Sequence, residues 1–341
     1  MSALPRRFDD VAALDAFMAQ PSEALIADLR HAPGDIMVLG AGGKMGPTLA
    51  TLARNAAPER RVIAVARFSE PDVQDTLRQA GIETLRCDLL DADAVRALPL
   101  APNVVFMAGR KFGSSGEPSL TWAMNTHLPA LVAQHFRASR IVAFSTGNVY
   151  PLTDVLRPPP DEGTPPDPVG EYAQSCLGRE RMFEHFSAAH GTPGRLFRLN
   201  YAIDCRYGVL HDIAAKVWAG APVDVSMGHV NVIWQGDANA WALRCLRHVT
   251  APTTPLNVSG PETLSVRFLA ERFARIFGRA TSIVGTEAPT ALLTNAAQAH
   301  ALFGYPSVPV ARMIDWVADW VAREMPALGK PTKFEVRSGR F

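Results

Sequence analysis

The sequence predicts an α/β fold, in which a doubly wound, mostly parallel sheet is followed by a smaller C-terminal α/β lobe. From residue 35 onward, short apolar runs alternate with amphipathic segments, which is the pattern of strand-helix-strand units. A glycine-rich turn directly follows the first of these runs. Hydrophobic residues make up 48% of the 341 residues and charged residues 20%, a composition that can fill one large core or two coupled ones.

Six runs have the length and apolar character of strands. They span residues 36–39, 62–66, 83–86, 104–107, 141–145 and 195–199. Helix ends between them can be located, because Asp91 can cap the segment that begins at Ala92, and Gly81 follows the segment that begins at Pro71.

The bulk properties favour a small-molecule partner. The formal net charge is +1 and no long run of Lys or Arg occurs, so neither nucleic acid nor a membrane is an expected partner. No apolar run approaches the ~20 residues of a membrane span, and the N-terminus lacks a signal peptide, so the expected location is cytoplasmic. The cysteines lack the spacing of a zinc site or a disulfide framework, so no metal is expected: Cys87, Cys176, Cys205 and Cys245.

The glycine-rich turn runs from Gly40 to Gly46, between the first predicted strand and a helix. Gly40 permits the tight turn, Gly43 lets backbone N–H groups approach a diphosphate, and Gly46 permits close packing of the helix on the strand. The N-terminus of the following helix favours an anion. The turn, which includes Lys44 and Met45, therefore predicts a Rossmann-type domain that binds a dinucleotide. A glycine-rich loop without a ligand is the alternative.

The chain then divides into an arm, two lobes and a tail. We predict a helical N-terminal arm over residues 1–33 and a dinucleotide-binding Rossmann domain over 34–203, to which residues 229–260 return. Residues 204–228 and 261–330 are predicted to form the smaller substrate lobe, and 331–341 a C-terminal tail. The loop 151–170 contains seven prolines and is predicted to form a rim of the site.

The end of the second predicted strand favours NADP over NAD. NAD-binding proteins usually place Asp or Glu there to hold the ribose hydroxyls, whereas this chain has Ala66 followed by Arg67. A guanidinium can grip a 2′-phosphate, and Lys44 is a candidate to assist it. NAD as the cofactor, with Arg67 as a solvated surface residue, is the alternative.

A set of motifs between residues 35 and 280 resembles the extended short-chain dehydrogenases/reductases, a family dominated by sugar epimerases and dehydratases. The set comprises Gly40, Gly43, Gly46, Asp88-Leu89, the segment 106–109, Asn125, the segment 145–150, Tyr172 and Asp237. The resemblance implies that Asp88 and Leu89 flank the adenine, and that Met107, Ala108 and Gly109 line the dinucleotide.

The resemblance also implies a catalytic pair and an oligomer. Thr146 corresponds to the family residue that hydrogen-bonds the reacting oxygen, and Tyr172 to the general acid or base beside the cofactor. Many family members dimerise through two helices, which would be residues 120–136 and 171–190 here. A homodimer is therefore expected.

Two positions depart from the family pattern. The lysine that follows the family tyrosine by four residues is replaced by Cys176, which cannot supply its positive charge. Arg110 and Lys111 are candidate substitutes or substrate ligands, unless they form a basic pair on a solvated loop. The arginine with which nucleotide-sugar epimerases grip the substrate diphosphate is replaced by Val230.

The sequence thus predicts an NAD(P)-dependent oxidoreductase or epimerase that acts on a small hydroxylated or keto substrate. A sugar or sugar acid that is not linked to a nucleotide fits best. Asn148, Asn200 and Asn231 are candidates to contact its hydroxyls, or else bond local backbone. Two alternatives stay open, namely a redox-neutral epimerase, dehydratase or isomerase with tightly bound cofactor, and a catalytically silent dinucleotide-sensing protein.

Overall fold

The computed structural model describes residues 4–111, 113 and 116–340, and its centre is a seven-stranded parallel sheet. The strands of this sheet and of four small ladders are β1 (Ile36–Leu39), β2 (Val62–Ala66), β3 (Glu83–Arg86), β4 (Asn103–Phe106), β5 (Arg140–Thr146), β6 (Thr153–Asp154), β7 (Gly194–Leu199), β8 (Ala202–Ile203), β9 (Val223–Asp224), β10 (His229–Val230), β11 (Ile233–Trp234), β12 (Thr254–Val258), β13 (Leu264–Ser265), β14 (Ile283–Val284) and β15 (Thr290–Ala291). The central sheet has the order β12-β7-β5-β4-β1-β2-β3. The predicted fold class is confirmed.

Thirteen α-helices are present in the described residues. They are α1 (Val11–Met18), α2 (Glu23–Arg30), α3 (Gly46–Ala56), α4 (Pro71–Gln79), α5 (Ala92–Arg96), α6 (Pro118–Trp122), α7 (Leu128–His135), α8 (Gly170–His190), α9 (Val209–Trp218), α10 (Gln235–Arg244), α11 (Val266–Phe277), α12 (Ala297–Phe303) and α13 (Val310–Ala322). A π-helical turn, Ala123–His127, joins α6 to α7. A single 3₁₀ turn, Gly147–Val149, follows β5.

The order of the strands places a switch point beside the glycine-rich turn. From β1 the chain moves outward through β2 and β3, and it then returns to pair β4 on the other side of β1. Connections that leave β1 and β4 in opposite directions open a crevice at the carboxyl ends of these strands, where open α/β sheets bind ligands. The turn from Gly40 to Gly46 lies at this edge.

The seventh strand, β12, was missed by the sequence analysis. It pairs with β7 at the edge of the sheet, with Pro255 opposite Leu196. Because a proline has no N–H to donate to a neighbouring strand, Pro255 argued against a strand here. A strand at the edge of a sheet tolerates a proline. Residues 254–258, which lie within the segment 229–260 predicted to return to the Rossmann domain, form this edge strand.

The two faces of the sheet are covered by separate helix layers. Ile36 and Val38 pack with α3 and α10 on one face, whereas Met37 and Leu39 pack with α7 and α8 on the other. All four side chains are fully buried, as in parallel sheets covered on both sides.

The smaller lobe is built around α9, α11 and α13, and the N-terminal arm completes its core. The Phe8 ring lies 4.8 Å from the ring of Trp316 and stacks on Trp234 at 6.3 Å. Helix α2, by contrast, is held to α10, because the Asp28 carboxylate accepts a hydrogen bond from the Arg244 guanidinium at 2.6 Å. The arm therefore packs against both lobes.

Two further findings concern possible partners. Over the described ranges, no helix combines the length and the apolar character needed to cross a bilayer. The same ranges contain no cluster of three or more His, Cys, Asp or Glu side chains arranged to hold a metal ion.

Candidate active site

The glycine-rich turn connects β1 to α3 and is shaped by close packing at two of its glycines. Gly40 has a φ of +87°, and a Cβ there would lie 2.6 Å from the backbone nitrogen of Ala108. A Cβ on Gly46 would lie 2.3 Å from the carbonyl oxygen of Ala41. At Gly43 the nearest atom would be 3.5 Å away, an ordinary contact. Gly43 is therefore not needed for packing, and its open face suits the approach of a ligand to the backbone.

Two cavities, each of about 270 Å³, meet at this turn. Both are lined by Gly40, Gly43 and Met107. We name them the Arg67 cavity and the Tyr172 cavity after one residue that each contains. A ligand that spans both would cross the glycine-rich turn at its middle.

The Arg67 cavity brings together six residues that the sequence analysis assigned to the cofactor. They are Arg67, Asp88, Leu89, Met107, Ala108 and Gly109. Arg67 is exposed at the rim. Glu70, at the start of α4, also lines this cavity and was not predicted. A carboxylate there offers an acceptor for ribose hydroxyls, opposite in charge to Arg67.

Thr146 and Tyr172 meet in the second cavity. Thr146 ends β5 and Tyr172 lies in the first turns of α8, and their side chains are hydrogen-bonded to each other. Burial raises the pKa of Tyr172 well above its usual value, and the neighbouring Cys176 raises it further. The charge of Arg179 and the hydrogen bond with Thr146 lower the pKa of Tyr172, but by less than burial and Cys176 raise it. The phenol therefore carries its proton at neutral pH.

Cys176 and Arg179 continue the face of α8 on which Tyr172 lies. Cys176 is buried and hydrogen-bonded to Tyr172. Arg179 is also buried, and its guanidinium donates to the carbonyl of Phe144 and to Asn125 Oδ1, both at 2.7 Å. Its positive charge lowers the pKa of both Tyr172 and Cys176. Arg179 was not predicted, although its spacing of seven from Tyr172 is the helical signal that could have revealed it.

Gly109 and Asn125 lie beside this guanidinium. A Cβ on Gly109 would lie 2.2 Å from Arg179 Nη2, so a larger residue there would displace the guanidinium. Asn125 lies in the π-helical turn and also donates to the carbonyl of Arg110 at 2.9 Å. Isolated π-turns are frequent at functional sites.

The two cations after β4 are directed to different places. Arg110 forms an ion pair with Glu117 and lines neither cavity. Lys111 lines the Tyr172 cavity, and its ammonium donates to the carbonyl of Thr332 at 3.2 Å. Its charge lowers the pKa of Cys176, and burial lowers its own pKa to about 8.

Lys44 lies on the same side as Tyr172 rather than with Arg67. Its ammonium lies 3.7 Å from the centroid of the Tyr207 ring and 3.3 Å from the carbonyl oxygen of Ala202. Burial lowers its pKa to about 8. The side chain thus points away from the cavity in which the sequence analysis expected it to assist Arg67.

The three predicted asparagines differ in accessibility. Asn148 lines the Tyr172 cavity and accepts from the Thr146 hydroxyl at 2.9 Å. Asn200 also lines this cavity, but its amide donates to Asn231 Oδ1 at 2.7 Å. Asn231 is buried behind it and donates to the carbonyl of Thr294 at 2.8 Å. Asn200 and Asn231 are thus hydrogen-bonded to groups distant in the sequence rather than to local backbone.

The C-terminal tail closes one side of the Tyr172 cavity. Thr332 lines the cavity and donates from its backbone nitrogen to Asp212 at 2.7 Å. Phe334 is buried in the core of the smaller lobe. Farther on, Gly339 lies against the start of α8, where a Cβ on Gly170 would be 2.7 Å from the Gly339 carbonyl oxygen. Residues 332–339 thus contact both lobes.

Comparison with known proteins agrees with this geometry. The model of the NAD dependent epimerase/dehydratase family matches residues 36–203. No significantly similar sequence is found among curated proteins.

Solved structures share the fold at low sequence identity. MoeE5 in complex with UDP-glucose and NAD is 21% identical, with a TM-score of 0.68 over 85% of this chain and 99% of that one. UDP-glucose 4-epimerase from Thermus thermophilus is 18% identical, with a TM-score of 0.69 over 84% and 99%. UDP-glucuronic acid 4-epimerase from Bacillus cereus is 16% identical, with a TM-score of 0.70 over 85% and 99%.

The predicted resemblance is confirmed, as is the prediction of an epimerase/dehydrogenase-type enzyme at the level of the family. With its glycine-rich turn, parallel sheet and Thr146–Tyr172 pair, this chain resembles the NAD dependent epimerase/dehydratase family, whose model matches its segment 36–203.

Proposed function

We propose that this enzyme uses NADP to transfer a hydride to or from a small hydroxylated or keto substrate. The observation that carries the proposal is the hydrogen-bonded pair of Thr146 and Tyr172 in a cavity that adjoins the glycine-rich turn. The pair combines a hydroxyl that can hydrogen-bond a C–O group with a phenol that can move its proton. A silent sensing protein would have no need of this pair.

The cofactor site fits a dinucleotide on structural grounds. The Arg67 cavity and the Tyr172 cavity meet at Gly43, whose open face leaves the backbone accessible to a diphosphate. Residues of the first cavity would hold the adenosine half, and Met107 would contact the middle of the molecule. When bound, the nicotinamide supplies or accepts the hydride.

The protein's part of the reaction is proton transfer and charge stabilisation. Because the phenol of Tyr172 is protonated at neutral pH, it is ready to donate to the oxygen of a carbonyl that is being reduced. Thr146 hydrogen-bonds the same oxygen. Arg179 supplies positive charge to Tyr172 in place of the family lysine at position 176, and the charge of Lys111 acts on the neighbouring Cys176.

The proposed substrate is a sugar or sugar acid without a nucleotide. The relatives named above are described with UDP-sugars, whereas Val230 here is buried between core residues and offers no charge to a diphosphate. The Tyr172 cavity is about 270 Å³ and is walled by Thr332 of the tail. A cavity that also takes the nicotinamide half of a cofactor leaves room for a small substrate only. We infer that residues 204–228 and 261–330, with the tail, form the substrate side.

Redox-neutral chemistry is the second candidate, and the family match favours it. A cofactor that is reduced and reoxidised within one cycle would give epimerisation or elimination. Product formation without a net change in nicotinamide absorbance would identify this case.

The choice of NADP rests on Arg67 and on the absence of an acidic residue at Ala66. Glu70 in the same cavity is the feature that would favour NAD. The test is a calorimetric titration of the purified protein with NADP and with NAD, after any co-purifying cofactor has been identified. Tighter binding of NADP supports the proposal, tighter binding of NAD overturns the role of Arg67, and binding of neither overturns the function.

We also propose a homodimer that associates through the segment 118–135 and α8. These helices pack side by side on one face of the sheet. Trp122 on the first helix is partly exposed and donates to Glu171 on the second. Mass measurement in solution tests the dimer, and a monomer at micromolar concentration would contradict it.

A further inference from the structure

Lys44 is a partly buried cation whose described hydrogen-bond and ring partners are neutral. Its ammonium contacts the carbonyl oxygen of Ala202 and the face of the Tyr207 ring, and no carboxylate of the described residues forms an ion pair with it. Burial disfavours the charged ammonium and lowers its pKa to about 8, a cost that the charges of Asp204 and Asp212 offset only in part. An anionic ligand in the cavity would offset the cost of burying this ammonium.

Lys111 brings a second amine to the same cavity from a different part of the chain. It follows β4, and its positive charge is among those that lower the pKa of Lys44. Both lysines line the cavity that contains Tyr172. Two cations thus line one cavity beside the candidate catalytic group.

The start of α9 adds a third positive feature. Gly208 lines the cavity and precedes α9, and no side chain caps this helix end. The N-terminus of a ten-residue helix carries partial positive charge, part of which Asp212 in the first turn opposes.

The nearby carboxylates are engaged by other groups. Asp204 pairs with Arg206 at 2.9 Å, and Asp212 accepts from the backbone nitrogen and hydroxyl of Thr332 at 2.7 and 2.5 Å. Neither forms an ion pair with Lys44. Both carboxylates therefore have hydrogen-bond or ion-pair partners other than Lys44, although their charges still act on it.

We propose that Lys44 and Lys111 form an anion subsite that holds a carboxylate of the substrate, so that the substrate is a hydroxy acid or keto acid of sugar type. This inference rests on the proposed function and narrows its substrate class from sugars in general to their acids. The diphosphate of the cofactor is the other anion within reach of the glycine-rich turn, and the experiment separates the two.

The test compares an acid with its neutral counterpart. Calorimetry on the full chain saturated with NADPH, with which a hydroxy acid cannot react, measures the affinities of D-gluconate and D-glucitol. These differ only by a carboxylate in place of a hydroxymethyl group. We expect D-gluconate to bind at least about tenfold more tightly. Equal affinities would overturn the proposal.

Substitutions of the two lysines test whether they cause the preference for D-gluconate over D-glucitol. Lys44→Met and Lys111→Met should each remove most of the preference for the acid, while NADPH affinity stays within about twofold. Lys44→Arg should retain the preference, which shows that the turn still folds. Lys330→Met, at an exposed lysine outside the cavity, is the matched control.

The outcomes distinguish this proposal from the proposed function. If Lys44→Met weakens NADPH binding and leaves the preference for D-gluconate unchanged, the lysine serves the cofactor diphosphate and the subsite is wrong. If the unaltered protein binds neither NADP nor NAD, the proposed function itself fails. A subsite that fails with cofactor binding intact leaves the dinucleotide function standing.

Discussion

The Nη2 atom of Arg179 lies 2.7 Å from Oδ1 of Asn125, which fixes a buried positive charge one helical turn beyond Cys176. The same guanidinium donates to the Phe144 carbonyl, so it is held from two sides. The family lysine is absent, but a cation is therefore still present on the face of α8 that carries Tyr172.

Replacement of Arg179 tests whether its positive charge stabilises the deprotonated form of Tyr172. Arg179→Met should lower kcat by roughly tenfold to a hundredfold, because a positive charge no longer stabilises the phenolate. The pH at which alcohol oxidation accelerates should move upward. Kinetics as a function of pH measure both effects.

Two further variants separate charge from packing at this position. Arg179→Lys should restore part of the activity and of the pH profile. Arg181→Met, at an exposed arginine of the same helix, should leave both unchanged. An Arg179→Met enzyme that loses stability but keeps the original pH profile would reduce Arg179 to a structural residue.

The pH dependence of the two reaction directions follows from the sign of the Tyr172 shift. Burial raises the pKa of Tyr172, so the group is protonated below that raised value and loses its proton only at high pH. The kcat of carbonyl reduction should therefore be flat through neutral pH, whereas the kcat of alcohol oxidation should rise with pH. Reduction that slows across the neutral range while oxidation stays flat would contradict the assignment.

Arg67 should govern the choice between cofactors. Arg67→Ala is expected to weaken NADP binding by about tenfold or more, since one charge-assisted contact to a phosphate is lost, and to leave NAD binding nearly unchanged. Calorimetric titration with both cofactors checks this, with Arg157→Ala at an exposed arginine as the control. An equal loss for both cofactors would point to the adenosine pocket as a whole rather than to the 2′-phosphate.

A buried ion pair anchors α8 to the sheet. Arg198 donates to Glu180 at 2.7 and 2.9 Å and to the Tyr150 hydroxyl at 2.7 Å. Arg198→Met leaves the carboxylate of Glu180 buried without its partner, so the free energy of unfolding should fall by about 3–5 kcal/mol.

Urea denaturation measures this loss. The half-exposed pair of Arg181 with Glu184 provides the comparison, and Arg181→Met should cost under about 1 kcal/mol. Similar losses for both variants would show that the Glu180–Arg198 pair does not anchor the helix.

Sequence reasoning located the parts of the site that depend on local motifs. The glycine-rich turn and Arg67 after β2 follow from residues at fixed places in strand-helix units, whereas the Thr146–Tyr172 pair followed from the family resemblance. Because parallel strands end at one edge, their terminal residues come together without knowledge of the packing.

The remaining parts depend on contacts between distant segments. Lys44 meets Ala202 across 158 positions, and Lys111 meets Thr332 across 221. No periodicity relates such residues. The role of the tail as a cavity wall and the placement of Lys44 therefore emerged only from the structure. Strand β12 was missed because Pro255 masks its strand character at an edge that tolerates it.

The central claim is that Tyr172 moves the proton in a reaction carried by a bound dinucleotide. The most direct test is to measure turnover and cofactor affinity together for Tyr172→Phe, with product analysis that detects both redox and redox-neutral reactions. We expect a loss of turnover of roughly 10²–10⁴-fold with cofactor affinity within about twofold of the unaltered enzyme. Equal turnover in the variant would contradict it.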